Sequence, residues 1–187
     1  EEYEKLEKEI PTLSTDILDI IEGDFHQPIV IGSVLPTFKS DHALINQKMY
    51  KFTGNKTQGF SQKQHLAKNA LMFLNAPYLW GGRTPFGIDC SGFTQIIYRL
   101  QGKKIPRDAY QQIELGETIN LDKSQEGDLA FFENKSGKII HVGLIMKNQK
   151  IIHASGHVRI DKLDNKGIFN TEKQKYSHKL HSIKKLI

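Results

Sequence analysis

The sequence contains a single cysteine, Cys90, in the segment Gly87-Ile88-Asp89-Cys90-Ser91-Gly92. One cysteine cannot form an intramolecular disulfide or a multi-cysteine zinc site, so its thiol is either a small buried apolar group or a reactive one. Asp89 is a favourable N-cap, which places Cys90 in the first turn of a helix, where unpaired backbone N–H groups favour an anion. We therefore expect a nucleophilic thiolate with a lowered pKa at this position.

His141 and His153 are candidate partners for that thiol. They lie in two apolar runs, residues 139–146 and 150–154, which three polar residues separate. If these three residues form the loop of a hairpin, both histidines lie on the same face as diagonal neighbours, about 7 to 8 Å apart at the backbone, and Gly143 leaves the space between them open. His153 then orients His141, and His141 faces the nucleophile as its base. A loop one residue longer or shorter places the two rings on opposite faces.

Other chemistries have weaker signals. Each histidine taken singly is also compatible with an ordinary polar residue near a sheet edge. His153 and His157 are four residues apart, a spacing that converges on a metal in a helix but not in a strand, and we expect no metal. The glycines at 81, 82, 87 and 92 are not followed by Gly-Lys-Ser/Thr, so they do not form a phosphate loop. We expect no cofactor.

Composition and charge exclude several classes of protein. Of 187 residues, 38% are hydrophobic and 25% are charged, as in a globular protein. The net charge of +5 is spread out, with its densest stretch at residues 173–185, and no aromatic-interleaved basic motif predicts a nucleic-acid partner. No apolar run approaches the roughly 20 residues of a membrane span. The acidic start of the chain (Glu1, Glu2, Glu4) is unlike a signal peptide.

The elements that must position these residues differ between the two ends of the chain. Residues 1–23 predict a charged helical start followed by a short helix, which has candidate caps at residues 14–16 and ends at Gly23. Short apolar runs broken by turn formers predict strands within residues 28–52. The polar, glycine-bearing stretch at 54–61 is the best boundary between two parts, which we expect at 1–58 and 59–187.

The second part predicts helices followed by strands. One helix runs from Ser61, its cap, to about Leu74, and four of its apolar residues are expected to face the core: Leu66, Ala70, Leu71 and Leu74. Another helix begins near Cys90 and ends before Gly102. Strands are expected near residues 129–132, 139–146, 150–154, 158–160 and 183–187. Helices followed by a mainly antiparallel sheet predict an α+β domain.

Three motifs carry a resemblance to a known family. Tyr78-Leu79-Trp80-Gly81-Gly82-Arg83 precedes Asp89-Cys90-Ser91-Gly92-Phe93, His141 opens a His-Val-Gly run, and His153 opens a His-Ala-Ser-Gly run. Over about residues 60–187, this combination resembles the NlpC-type family of papain-like bacterial cell-wall cysteine peptidases. The resemblance implies a papain-like fold, with N-terminal helices packed on a mainly antiparallel sheet, preceded by a small partial SH3-like β segment.

The resemblance also implies a role for each candidate residue. Cys90 attacks a peptide carbonyl, His141 accepts the thiol proton and later protonates the leaving amine, and His153 holds the tautomer of His141. The backbone N–H of Cys90 and the hydroxyl of Tyr78 stabilise the oxyanion. Tyr78 and Trp80 have a plain alternative as core aromatic residues, which suits Trp80 better.

A narrower resemblance is to members with SH3-like modules, which cut between γ-D-glutamate and a diamino acid in peptides with a free N-terminal L-alanine. Asp89 and Ser91 match positions that hold the substrate amine, although Asp89 could be a cap only. Arg107 and Asp108 match a loop on the substrate side. Residues 24–54 resemble only the tail of the SH3-like region, which leaves recognition of the free amine open.

The resemblance implies peptidoglycan stem peptides, similar to a murein tripeptide, as the binding partner. It implies a location in the bacterial cell envelope more than in the cytoplasm. Two alternatives stay open at this point: a non-catalytic cell-wall binding module and a thiol acyltransferase of the same fold.

Overall fold

The structure is a computed structural model that describes residues 11–58 and 65–187. The chain divides into two compact units, residues 1–61 with 99–103, and residues 62–98 with 104–187. The second unit contains every residue predicted to do chemistry. Within the described ranges, no helix is long and apolar enough to cross a membrane.

In its described part, the first unit contains two small antiparallel sheets. One has the strand order β4-β1-β7 and is formed by β1 (Thr12–Ser14), β4 (Val34–Leu35) and β7 (Lys56–Gln58). The other has the order β3-β2-β6-β5 and is formed by β2 (Leu18–Glu22), β3 (His26–Val30), β5 (His42–Ile45) and β6 (Lys48–Lys51). Their shared apolar cluster consists of Ile21, Leu35, Ala43, Tyr50 and Phe52.

The helix expected in residues 1–23 is wrong where the structure describes this range, and residues 1–10 lie outside the description. Residues 12–14 and 18–22 are strands, β1 and β2. Ile20 is half exposed whereas Ile21 is buried, the alternation of a strand. Pairing of β2 with β3 and β6 outweighs the weak helical pattern of a segment rich in β-branched residues. The strands expected within residues 28–52 are confirmed.

Among the described residues, three short helices lie mainly in the second unit: α1 (His65–Leu71), α2 (Cys90–Arg99) and α3 (Ala109–Gln112). The predicted cap Ser61 lies outside the described residues. Leu66 and Ala70 are buried as expected, but Leu71 and Leu74 are 44% and 42% exposed, so their assignment to the core is wrong. The helical period stops at Leu71, because residues 72–75 form turns that end at Asn75 in the left-handed region.

Most of the second unit is one antiparallel sheet of seven strands. The strands are β10 (Glu117–Ile119), β11 (Leu129–Glu133), β12 (Ile139–Met146), β13 (Lys150–Ser155), β14 (His157–Asp164), β15 (Gly167–Asn170) and β16 (Lys175–Lys185). The first part of β16 pairs with β15 and its second part pairs with β11 and β10, so β11 to β16 close into a barrel-like ring. A two-stranded hairpin, β8 (Arg83–Thr84) and β9 (Gly87–Ile88), precedes α2.

The predicted antiparallel sheet is confirmed, and it is larger than expected. β14 and β16 extend well beyond the predicted strands, and β10 and β15 were not predicted. The described chain therefore consists mostly of strands with few helices. Inside the ring, the apolar cluster is formed by Ala130, Phe132, Ile145, Ile151, Leu163, Ile168 and Ile183.

The hairpin of β12 and β13 has the predicted register. Met146 pairs with Lys150 across a three-residue turn. Asn148 and Gln149 in this turn have positive φ values of 59° and 54°, which close the loop tightly. A Cβ atom on Gly143 would lie 2.9 Å from the Cβ of His153, so these two positions are directly opposed. The hairpin thus brings His141 and His153 onto one face.

Candidate active site

Cys90 is the first residue of α2, and Asp89 caps that helix as predicted. The Oδ1 atom of Asp89 accepts a hydrogen bond from the backbone N–H of Gly92 at 2.7 Å. The Cys90 side chain is 92% buried and its sulfur accepts a hydrogen bond from the backbone N–H of Val142, the residue that follows His141. The thiol therefore lies against β12, beside the predicted base.

Glycines hold the start of α2 against the preceding turn. A Cβ atom on Gly92 would lie 2.4 Å from the carbonyl oxygen of Gly82, and a Cβ atom on Gly82 would lie 2.3 Å from the carbonyl oxygen of Gly87. Side chains larger than hydrogen do not fit at such distances from backbone atoms. The Trp-Gly-Gly and Cys-Ser-Gly motifs are thus two halves of one packed contact that fixes where Cys90 lies.

Behind the thiol, a buried chain of hydrogen bonds joins three side chains. Nε2 of His141 lies 2.8 Å from Nδ1 of His153, and Nε2 of His153 lies 3.1 Å from Oδ2 of Asp161. All three side chains are buried. Arg159 also donates to the Asp161 carboxylate, from Nε at 2.8 Å and from Nη2 at 3.1 Å.

Asp161 was missed in the sequence. It lies on β14, where His153 pairs with Arg159 and Ile151 pairs with Asp161, so Asp161 is the diagonal neighbour of His153. The register of the sequence could have indicated it. If the strand pairing is continued from β13 through the tight turn at Gly156, Asp161 lies on the same sheet face as His141 and His153.

The protonation states of the site differ from the sequence prediction. Burial and the charge of Asp89 together raise the pKa of Cys90 to about 11, and backbone N–H groups oppose this change only in part. The expected low-pKa thiolate is thus wrong, because desolvation outweighs the helix N-terminus. Burial, together with the charges of His153 and His178, keeps the pKa of His141 well below its usual value. At rest the site holds a neutral thiol and a neutral imidazole.

Asp161 is the charged end of this chain. Burial raises its pKa, but hydrogen bonds from His153 and Arg159 outweigh burial and lower the pKa to about 2. An ionised Asp161 accepts the Nε2–H of His153, so Nδ1 of His153 accepts the Nε2–H of His141. This order leaves a lone pair on Nδ1 of His141, the state that a general base needs.

Asp89, Ser91 and Arg107 form one ion-paired cluster next to the thiol. Arg107 donates to both carboxylate oxygens of Asp89, at 3.0 and 2.6 Å, and to Oγ of Ser91 at 2.9 Å. The backbone N–H of Gly81 donates to Asp89 as well, at 2.8 Å. Burial raises the pKa of Asp89, but the hydrogen bonds from Arg107, Gly92 and Gly81 lower it overall. Asp89 is therefore a cap and an ion-pair partner at once.

A cleft of about 570 Å³ opens in front of Cys90. Its lining includes all five predicted substrate residues, namely Tyr78, Asp89, Ser91, Arg107 and Asp108. Trp80 is 85% exposed at the rim, so its assignment to the core is wrong, and Tyr78 is partly exposed. Another cavity, of about 600 Å³ near the turn between β12 and β13, is lined by none of the predicted site residues.

His178, on β16, is a further residue that the sequence did not single out. Its ring stacks on His141 with centroids 4.1 Å apart and planes 20° apart. His141, His153 and His178 each offer one nitrogen within 4.8 Å of the other two, a set that could hold a metal ion. His157, the metal candidate weighed from spacing, does not belong to this set. No local sequence pattern links His178 to the other two histidines. Closure of the sheet brings His178 next to His141, and this closure depends on long-range pairing.

These motifs and this fold are shared with known proteins. Residues 75–176 match the family described as the NlpC/P60 family. The chain belongs to the NlpC/P60 family. The match contains Cys90, both predicted histidines and Asp161, while His178 lies just beyond it.

Family relatives are similar over only part of their length. The chain is 43% identical over 93 residues to a γ-D-glutamyl-L-lysine dipeptidyl-peptidase of Bacillus subtilis, covering 49% of this chain and 31% of that protein. It is 41% identical over 80 residues to the murein DD-endopeptidase/murein LD-carboxypeptidase MepS of Escherichia coli, covering 42% of each chain. The chain thus matches less than half of either relative.

Among solved structures of the family, a crystal structure of an NlpC/P60 family protein from Bacillus cereus matches with a TM-score of 0.81. The alignment covers 98% of this chain and 65% of that chain at 24% identity. At this identity, the similarity concerns the fold alone.

Proposed function

We propose that this chain is a cysteine peptidase that hydrolyses peptidoglycan stem peptides between γ-D-glutamate and the diamino acid. The observation that carries the proposal is the buried hydrogen-bonded chain from His141 through His153 to Asp161, next to a thiol that opens on a cleft. The named activity of the Bacillus subtilis relative supports the choice of bond.

The reaction follows from the order of protons in this chain. As the sulfur of Cys90 attacks the γ-carbonyl carbon, Nδ1 of His141 takes the thiol proton, and the Nε2–H of His141 stays donated to His153. The proton passes to the amine of the diamino acid as the C–N bond breaks. Water then hydrolyses the thioester with His141 as base again. Asp161 is a positioning residue, since it acts through His153.

The oxyanion and the substrate amine are assigned to residues around the cleft. We infer that the backbone N–H of Cys90 and the hydroxyl of Tyr78 donate to the oxyanion. Burial, together with the charges of Cys90 and Asp89, raises the pKa of Tyr78, so its hydroxyl keeps the proton that it donates. Asp89 and Ser91 receive the free amine, and Arg107 and Asp108 line the way to them.

Arg107 makes recognition of the amine a competition. It already contacts both carboxylate oxygens of Asp89 and the hydroxyl of Ser91. An incoming ammonium group must therefore share the carboxylate with the guanidinium group or displace it. Recognition of the free amine therefore depends on the contact between Arg107 and Asp89, whereas hydrolysis depends on Cys90 and His141.

We also infer that the first unit is a partial SH3-like module, that the catalytic domain has the papain-like arrangement, and that the protein acts in the cell envelope. Two small antiparallel sheets around a five-residue apolar cluster support the first inference. Helix α2, with the nucleophile at its first residue against a strand of the sheet, supports the second. The proposed substrate supports the third.

The test is incubation of the protein, and of Cys90→Ala, with L-Ala-γ-D-Glu-L-Lys, with the diaminopimelate analogue and with both N-acetylated forms. We expect mass spectrometry to detect L-Ala-γ-D-Glu and the free diamino acid from the free-amine peptides only, and no product with Cys90→Ala. Cleavage of the acetylated peptides as well would reject the amine site and keep the peptidase. Cleavage of none would reject the proposed reaction.

A further inference from the structure

Three imidazole rings meet beside Cys90 and its cleft. Nε2 of His141 and Nδ1 of His153 are 2.8 Å apart, and the ring of His178 lies against both other rings at centroid distances of 4.1 and 5.8 Å. A base and its orienting residue need no third imidazole. We propose that His141, His153 and His178 form a Zn²⁺ site that switches the proposed peptidase off.

The donor set suits this ion. Neutral imidazole is a good Zn²⁺ ligand, and three protein nitrogens leave the fourth tetrahedral position to water. Nε2 of His153 remains bonded to the Asp161 carboxylate, which is the usual outer partner of a histidine bound to zinc.

Binding of the ion requires two changes in the positions of the rings. Ligand nitrogens around a tetrahedral Zn²⁺ ion are about 3.3 Å apart, because Zn–N bonds are about 2.0 to 2.1 Å long. The His141 to His153 distance of 2.8 Å must therefore widen by roughly 0.5 Å. His178 must leave its stack and turn a ring edge towards the ion.

A β-bulge lies next to His178 in the strand. Ile168 pairs with His178 and Phe169 pairs with Tyr176, so Ser177 is an extra residue that bulges out of β16. Bulges redirect neighbouring side chains. His178 is also only partly buried, whereas His141 and His153 are enclosed, so an ion can enter from its side.

Inhibition follows from proton positions, and this part of the inference rests on the proposed function. Zn²⁺ takes the lone pair of Nε2 of His141, so the proton of this neutral ring moves to Nδ1. Nδ1 then carries a hydrogen and cannot accept the proton of Cys90. The hydrogen bond from His141 to His153 is replaced by two bonds to the metal.

Metal binding is measured in the Cys90→Ala protein, where neither turnover nor a thiolate ligand contributes. Calorimetry with Zn²⁺ and visible absorption with Co²⁺ are expected to give one ion per chain and no thiolate charge-transfer band. His178→Gln, and His178→Phe, which keeps an aromatic ring on His141, should each weaken binding at least about tenfold. The matched control His181→Gln, three residues along β16, should bind as the parent does.

Circular dichroism spectra of the variants establish that each is folded. Absence of a bound ion in Cys90→Ala, or equal affinity after both His178 substitutions, would overturn the zinc site. These outcomes leave the peptidase proposal standing, because cleavage is assayed separately with a chelator present. Zn²⁺ added to the wild-type protein should abolish the cleavage seen with chelator, and undiminished cleavage by the Zn²⁺-loaded protein would overturn the inhibition.

Discussion

At the scale of single residues, the protonation states of Cys90 and His141 set the order of events in the proposed reaction. Burial keeps both groups neutral at rest, so the proton moves during attack and not before it. Asp161 gives this transfer its direction, since its negative charge orders the two hydrogen bonds that leave Nδ1 of His141 free.

Alkylation of Cys90 tests the neutral resting state. With the pKa of the thiol raised to about 11, the thiolate fraction grows with pH throughout the neutral range. We expect the rate of reaction with iodoacetamide to rise about tenfold per pH unit between about pH 6 and 9. The measurement is mass spectrometry of the modified protein, with Cys90→Ala as the blank. A plateau already reached near pH 6 would indicate a preformed ion pair instead.

Asp161→Asn tests the positioning role. The amide keeps the shape but can rotate and donate to Nε2 of His153, which reverses the tautomers of both histidines. We expect kcat for the tripeptide to fall by up to about 10⁴-fold while KM stays the same. A change in KM alone would contradict positioning. The pH profile of kcat should also move, which a purely structural defect would not cause.

Asp161 also makes stability depend on pH. Its pKa falls from 3.8 in the unfolded chain to about 2 in the folded one, so the stabilisation is present above about pH 4 and is lost as pH falls through 2. The shift corresponds to about 2 kcal/mol. Urea unfolding at several pH values measures the free energy of unfolding of the wild-type protein and of Asp161→Asn. The difference between the two should shrink by about 2 kcal/mol as the pH falls from 5 to 2. An unchanged difference would refute the linkage.

At the scale of elements, the start of α2 depends on the close contact of Gly92 with Gly82. An alanine inside a helix is normally better than glycine by about 1 kcal/mol. At this position a Cβ atom would lie 2.4 Å from a carbonyl oxygen, and overpacking costs about 1 to 3 kcal/mol. The close contact therefore requires glycine at position 92, although helix propensity favours alanine.

Gly92→Ala should accordingly destabilise the protein by about 1 to 2 kcal/mol and displace the thiol, so that cleavage falls as well. Chemical denaturation and the cleavage assay measure the two effects. Gly81→Ala separates steric clash from backbone strain: its φ is +80°, yet a Cβ atom there would meet no atom within 4 Å. If Gly92→Ala instead stabilised the protein, the backbone at Gly82 would have moved to accommodate the Cβ atom without loss of stability.

At the scale of the whole molecule, closure of the sheet by β16 completes the site. This strand pairs with β10, β11 and β15, and it brings His178 to His141. Ile183 anchors it: the residue is buried in the core of the ring and pairs with Ala130 and Ile119.

Ile183→Ala should lower the free energy of unfolding by about 2 to 4 kcal/mol, because it leaves a cavity in the core of the ring. Ile187→Ala is the matched control near the same end of the chain. Its side chain is 40% exposed, so its loss should cost less than about 1 kcal/mol. Urea unfolding compares the two variants. Equal losses would mean that β16 contributes little to the closure of the ring.

The sequence by itself determined what depends on short-range rules. A cap and a helical period place Cys90 at the start of α2, and a three-residue loop with a period of two brings His141 and His153 together. Only the tertiary structure decided the rest. Long-range pairing made residues 18–22 a strand and carried His178 to the site, because such contacts leave no local pattern. Burial likewise set the pKa of Cys90, since desolvation depends on everything packed around the thiol.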